Sequence, residues 1–320
     1  MPIDTNGQMW IYCVNVGQGD TTIVITPEKN VVIIDAMKAN KIIRLLSDLG
    51  MTDQDGIEHI VVSHPHHDHY SGVERLINTY QEVNALTLTS LWRYTENVPG
   101  YNNIINSAVQ KEIPISFLSG YTQVFPDESP VVNPNTLRIE LLGPSNQFIE
   151  LLNDANQLNT NHRSIIARLQ LGDFLMVVAG DAQMETWSHF DSEQMLADPC
   201  SVLRAAHHGS ANGTQYERIT RLAAEVLIVS SDPNGKDKLP DLIGRATFLR
   251  YEESSSNPLT VLTHDTGTIK IEVNQSGSYD VFHFGEGRNE NIPLQNKQPL
   301  IKGQNPTDWK TLTQSGLVSP

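Results

Sequence analysis

Apolar residues in the first third of the chain fall in short runs of strand length, broken by turn residues. Trp10 to Val16 is apolar and rich in β-formers, Gly17, Gln18, Gly19 and Asp20 interrupt it, and Thr21 to Thr26 resumes it. Pro27 to Asn30 turns the chain again before Val31 to Asp35. This pattern predicts three consecutive strands joined by tight turns. The period then changes: Ile42, Ile43, Leu45, Leu46 and Leu49 recur at helical spacing, predicting a helix over Asn40 to Leu49. Ile57 to Ser63 reads as a buried strand and Val73 to Tyr80 as a helix, with His64 to His69 as the loop between them.

Residues 81 to 135 are less regular. Leu86 to Tyr94 reads as a strand and Asn103 to Ile113 as a helix, with no motif between. Farther on, Thr136 to Leu142 reads as a strand, Gln147 to Leu152 as a short helix, and Ser164 to Leu171 with Phe174 to Ala179 as a hairpin about Gly172 and Asp173. Met184 to Leu196 follows as a helix, Val202 to Ala206 as a strand, Gln215 to Ala224 as a helix and Glu225 to Ser230 as a strand. Leu259 to Leu262, Gly267 to Val273 and Tyr279 to Phe284 are expected to close the sheet. Strands and helices thus alternate in two halves of similar style. The expected architecture is α/β, an αββα sandwich of two packed mixed sheets with helices outside.

Composition narrows this picture. With 320 residues, 39% hydrophobic and 18% charged, the chain has material for a sizeable core. No run approaches the ~20 apolar residues of a membrane helix. Met1 to Gln8 carries no signal-peptide pattern, so the expected location is cytoplasmic, with no membrane contact. After Gly285 the chain becomes polar, which divides it into a domain over 1–285 and a tail or appendage over 286–320. Of the two cysteines, Cys13 sits inside an apolar run and Cys200 immediately precedes one, and both read as reduced, partly buried thiols. A formal charge of −15 argues against a general grip on long nucleic acid, though bound cations would reverse the local field.

The chemistry concentrates in Ser63-His64-Pro65-His66-His67-Asp68-His69-Tyr70-Ser71-Gly72. Imidazole and carboxylate are ligands for zinc and similar divalent ions. His64 and His66, two apart on an extended loop, can share one ion, and Asp68 and His69, after a bend, can reach a second. A solvated His-rich loop is the ordinary alternative, and companions farther along decide against it. Asp181 stands at the tip of the strand ending Ala179-Gly180, placed either to bridge two cations or to cap the next helix. Ala206-His207-His208-Gly209-Ser210 ends another strand, and one of its histidines supplies a further ligand. Thr214 is expected to cap the helix beginning near Gln215, whose N-terminus would suit an oxyanion.

The segment His64-x-His66-x-Asp68-His69-x-x-Gly72 resembles the signature of the metallo-β-lactamase superfamily. More closely, the chain over residues 9 to 284 resembles the hydrolase domain of the ComEC/Rec2 DNA-uptake family, here without a membrane channel. That likeness rests on the opening turn Val16-Gly17-Gln18-Gly19-Asp20, on Ile33-Ile34-Asp35, on Asn161-x-x-Ser164 ahead of Gly180-Asp181, and on His207-His208-Gly209-Ser210.

The resemblance implies that His64, His66, Asp68, His69, Asp181 and His207 are metal ligands, with His208 the alternative to His207. It implies that Asp181 bridges, that Asp35 orients the histidine loop from behind, and that Asp20 either does the same or is a turn residue. Asp68, Asp181 and His208 are the expected catalytic residues, and Asn161, Ser164 and Ser210 the expected substrate contacts. Two divalent cations are implied, zinc first and manganese second, sharing a hydroxide as nucleophile.

Two departures stand out. The superfamily's further histidine before the bridging aspartate has only His162 to represent it, and a non-ligand role is expected there. A downstream His-Pro is replaced by Leu239-Pro240, with His264 as a remote substitute. The expected activity is that of a phosphodiesterase or nuclease. The alternatives are a hydrolase of esters, lactones or β-lactams, and a weakly active metal-stabilised module with a protein partner.

Overall fold

The first three strands are apolar at nearly every position because both of their faces are covered. In the computed structural model, which describes residues 3–90, 98–126, 135–193, 196, 199–232, 234–254, 258–284 and 298–299, these strands are β1 (Met9–Cys13), β2 (Thr21–Ile25) and β3 (Val31–Ala36). Along β1, Met9, Ile11 and Cys13 pack between the two sheets, whereas Tyr12 packs outward against helices. The same alternation runs through β3, with Val32 and Ile34 inward and Val31 and Ile33 outward. A strand buried on both faces reads as a continuous apolar run while its side chains still alternate between two cores.

The first sheet extends from β3 through β5 (His59–Val62), β7 (Leu86–Thr89) and β8 (Ile115–Leu118), all parallel, and β4 (Gly56–Ile57) and β6 (Glu82–Val83) form a separate parallel pair. Beyond β1 it continues antiparallel with β16 (Ile269–Val273), β17 (Tyr279–His283) and β18 (Gln298–Pro299). The second sheet runs from β9 (Gly120–Phe125) through β10 (Arg138–Gly143), β11 (Ile166–Leu171) and β12 (Phe174–Val178), antiparallel throughout. It continues in parallel with β13 (Val202–Arg204), β14 (Val226–Val229) and β15 (Leu259–Leu262).

Helices α1 (Ala39–Asp48), α3 (Val73–Thr79) and α4 (Pro99–Gln110) cover the first sheet, the short α2 (His67–Tyr70) lies in the histidine loop, and α5 (Asn146–Asp154) follows β10. On the second sheet lie α6 (Met184–Ser192), α7 (Tyr216–Leu222) and α8 (Leu242–Glu252). The four layers are therefore αββα, a mixed α/β fold of two packed sheets with helices outside. Among the described residues no helix is long and apolar enough to cross a membrane.

Several expectations need correcting. The stretch read as irregular carries β8 and β9, one in each sheet, and α4 begins at Pro99 rather than Asn103. Helix α8 has no counterpart in the sequence reading, because Leu242, Ile243 and Leu249 face outward and blur its apolar stripe. The last strands do not close one sheet. β15 ends the second sheet, and β16 and β17 cross to the first beside β1. The expected strand end at 91–94 lies outside the described residues. So does the expected appendage over 286–320, apart from Gln298–Pro299 paired with β17.

This topology gathers the polar motifs. β3 and β5 are parallel, as are β12 and β13, so the residues following all four emerge at carboxyl ends of strands. The two sheets meet there directly, where the Ile165 amide donates to Ser63 O at 3.0 Å, and within the second sheet the His207 amide donates to Gly180 O at 2.9 Å.

Candidate metal centre

Asp35, next to last in β3, has a left-handed backbone, φ 56°. Its carboxylate accepts from the Ser63 amide at 2.7 Å, from Ser63 Oγ at 2.7 Å and from His69 Nδ1 at 2.8 Å. These contacts set tautomers. Ser63 Oγ gives its proton to Asp35, so its contact with His64 Nδ1 at 3.1 Å is one in which the imidazole donates. His64 and His69 therefore both present Nε2 away from the support and toward Asp181.

Asp181 follows β12, and the left-handed Gly180 before it (φ 51°) would place a Cβ 3.0 Å from Ser63 Cβ. Its two oxygens face different partners. Oδ2 lies 3.5 Å from His64 Nε2 and 3.8 Å from His207 Nε2. Oδ1 lies 3.2 Å from His69 Nε2 and 3.5 Å from His208 Nε2. His66 joins the first side, 3.0 Å from His64 Nε2, and Asp68 the second, 3.3 Å from His208 Nε2. Within each of the groups His64, His66, Asp181 and Asp68, His69, His208, the ligand atoms lie within 4.8 Å of one another.

The adjacent His207 and His208 are both left-handed, φ 49° and 50°, which turns their rings to different sides. His208 is buried in the second group. His207, more open, donates from Nδ1 to Asn212 Oδ1 at 2.7 Å and so points a bare Nε2 at the first group. Asn212 also accepts from Ser210 Oγ at 2.9 Å.

The donor set fits a cation. His69 Nε2, His208 Nε2 and Asp181 Oδ1 are buried without a hydrogen bond, yet they converge on one point. Unpaired buried polar atoms are costly, and a cation among them removes that cost. Four ligands at ~2.1 Å in tetrahedral array are about 3.4 Å apart, the spacing found here. Charge agrees with geometry. Burial pulls the His69 imidazole down, but the carboxylates of Asp181 and Asp35 outweigh it and hold the group well above its ordinary range. Burial alone would raise Asp181, and His69, His208 and His64 hold it well below the usual carboxylate range instead. The spot favours positive charge, which a metal ion supplies in place of a proton.

Other residues named from sequence fall as follows. Asn161 is buried beside the centre, its Nδ2 3.2 Å from His207 Nε2. Ser164 is fully buried, and its Oγ accepts from the Asp181 amide at 3.2 Å, so it secures the strand end. Thr214 does not cap α7, whose N-cap is Gln215. Its hydroxyl donates to Ala206 O at 3.3 Å instead. His162 belongs to neither group. It completes a capping box with Asn159 and lies 3.3 Å from Glu185. His264 lies in a short helical turn, Thr263–Thr266, and belongs to neither group. Sequence reasoning missed Ser63, Asn212 and Arg204. Only Arg204 carried a signal, a lone guanidinium in an apolar strand.

The sequence model of the metallo-β-lactamase superfamily matches residues 14–88, the stretch from just after β1 through the histidine loop into β7. No curated protein matches the chain in sequence. Among solved structures it is similar to a mutant of CmlA β-hydroxylase, with 9% identity and a TM-score of 0.52 over 83% of this chain and 54% of that one. It is also similar to a metal-dependent hydrolase of the β-lactamase superfamily, with 13% identity and a TM-score of 0.48, covering 85% of this chain and 98% of that one. A long form RNase Z from yeast matches with 14% identity and a TM-score of 0.42, covering 82% and 41%. The chain thus spans about half of the hydroxylase chain, 54%, and at such identity the likeness concerns fold alone. Fold and site together define the class: an αββα sandwich of the metallo-β-lactamase kind, with two His/Asp groups meeting at one aspartate. Within it, residues 14–88 carry the superfamily's sequence pattern.

Proposed function

We propose that this chain is a metal-dependent hydrolase of the metallo-β-lactamase superfamily that cleaves phosphodiesters, small or single-stranded substrates before long duplexes. The observation that carries the proposal is Asp181, whose Oδ2 faces His64, His66 and His207 while Oδ1 faces Asp68, His69 and His208. Those residues would hold two divalent cations, with Asp181 between them. When bound, such a pair supplies a water-derived nucleophile at neutral pH and offsets charge developing on the substrate oxygens.

The residues of the chain do the rest. Asp35 and Ser63 fix the rings of His64 and His69, and Asn212 fixes His207, so the donor set is arranged before substrate arrives. Asn161 is placed to donate to a substrate oxygen on the His207 side. The phosphodiester preference is supported by the resemblance of the opening turn and of His207-His208-Gly209-Ser210 to the ComEC/Rec2 hydrolase domain. The formal charge of −15 disfavours extended polyanions.

A second reading, hydrolysis of an apolar ester or lactone, is favoured by one observation. Met184, Leu242 and Ile243 are exposed on either side of the loop 210–213, whose Ala211 amide meets Asp241 Oδ2 at 2.9 Å and whose Asn212 carbonyl meets the Met184 amide at 3.1 Å. A substrate panel separates the two: single- and double-stranded DNA, an aryl phosphodiester, an ester and a lactone, each with zinc, manganese or EDTA. Metal-dependent turnover confined to the ester and lactone would replace the first reading by the second. The CmlA enzyme is described as diiron, so iron belongs in the metal-content measurement.

A further inference from the structure

We propose that Asp20 is a positioning residue for His208, held by the buried Arg204, and that the turn over residues 16–20 supports the Asp68, His69 and His208 group. This rests on the reading that the group holds a cation.

The two imidazoles of that group are supported unequally. His69 has the Asp35 carboxylate on Nδ1 at 2.8 Å. His208 Nδ1 is buried without a hydrogen bond, and Asp20 Oδ1 faces it at 3.7 Å. In both cases the carboxylate lies behind the ring nitrogen opposite the one that faces Asp181. A ligand imidazole keeps its orientation by donating its other N–H to such an acceptor. A cation on Nε2 would make the Nδ1 proton a stronger donor toward Asp20 Oδ1, which faces it at 3.7 Å.

Arg204 ends β13 and is fully buried. Its Nη2 donates to Asp20 Oδ1 at 2.8 Å, and its Nη1 to Thr21 O at 2.8 Å and to Thr22 Oγ1. Burying a guanidinium is costly, and apolar side chains of similar volume would tie two sheets together as well. What the guanidinium adds is a fixed carboxylate under His208.

The main chain of the same turn reaches Asp68. The Asp20 amide donates to Asp68 O at 3.0 Å, and the Gly19 carbonyl accepts from Ser230 Oγ at 2.5 Å. A Cβ on Gly19 would lie 2.7 Å from Asp68 O, so only glycine permits this approach. One turn therefore fastens Asp68 through its backbone and faces His208 through its carboxylate.

The test titrates Co2+ into metal-free wild-type, Asp20→Asn and Asp35→Asn proteins. It reads visible absorption and the affinity of each binding step against a competing chelator, together with the unfolding midpoint of each metal-free protein. The expected result is that Asp20→Asn weakens one of two steps by about 10–100-fold and leaves the other within about threefold, with little change in the metal-free midpoint. Two unchanged steps would overturn the proposal. So would two steps weakened together along with a lowered midpoint, the pattern of a merely structural tie. Wild-type protein that binds no second Co2+ would overturn the two-cation reading itself, a distinct outcome. Should the variant not fold, imidazole NMR of the Zn2+-loaded wild type decides. Exchange-protected Nδ1–H signals from both His69 and His208 support the proposal, and protection of His69 alone overturns it.

Discussion

His207 and His208 are neighbours in sequence, yet their rings, with centroids 6.3 Å apart and planes at 61°, serve opposite sides of Asp181. Two consecutive left-handed residues make this divergence, a conformation that non-glycine residues adopt at a cost of order 1–3 kcal/mol each. Strain of this kind persists where the surroundings impose it, and here the His207 amide is bonded to Gly180 O at 2.9 Å.

The split makes the two histidines separable by mutation. His208→Ala should remove binding at the Asp68 and His69 group, and His207→Ala should weaken the His64 and His66 group, each by more than about 100-fold. Metal content after dialysis against a graded chelator series checks this. Loss of the same ion in both variants would show that the histidines share one group.

Gly19→Ala should destabilise the protein by about 2–4 kcal/mol, because the new Cβ meets backbone as well as side chain. It would lie 2.1 Å from Met37 Sδ and 2.7 Å from Asp68 O, at a φ of 145°. Urea unfolding of metal-free protein measures the loss, and a change under about 0.5 kcal/mol, the size of a neutral surface substitution, would contradict it.

His59 should make stability pH-dependent. Burial lowers its imidazole from 6.5 to about 4, and its Nε2 meets Thr87 Oγ1 at 2.8 Å. As pH falls, the unfolded chain takes up the proton first. The contribution is therefore complete above about pH 6.5 and is lost as pH falls toward 4, up to about 3 kcal/mol in all. From pH 6.5 down to about 4, wild type should lose up to about 3 kcal/mol of stability that His59→Gln does not lose. Parallel curves would refute the assignment.

Both cysteines should be inert in the native state. Cys13 and Cys200 are buried, and burial pushes the Cys200 thiol up to about 12. A thiol reagent at neutral pH should label neither until denaturant is added. Rapid labelling of native protein would contradict this.

The legible parts of the sequence were those where one chemical demand dominates. The strands β1, β2, β3, β5 and β12 are apolar on both faces, so their runs could be read without knowing what covers them. His64, His66, Asp68 and His69 announced themselves by spacing. β8 and β9 were not legible because much of both is half-exposed or exposed, leaving neither an apolar run nor a clean alternation. Ser63 and Asn212 were invisible for another reason. Their roles arise from contacts with Asp35, His64 and His207 that only the assembled fold creates. The choice between His207 and His208 depended on two backbone angles, which no residue pattern encodes.

The central claim is tested most directly by hydrolysis of bis-p-nitrophenyl phosphate by wild-type protein and by Asp181→Ala, each reconstituted with zinc or manganese and each repeated in EDTA. The account predicts metal-dependent turnover by the wild type. Asp181→Ala should lose about a thousandfold, corresponding to about 4 kcal/mol of transition-state stabilisation, while staying folded. Wild-type protein shown to hold two cations yet turning over no phosphodiester, or turnover that survives Asp181→Ala, would contradict it.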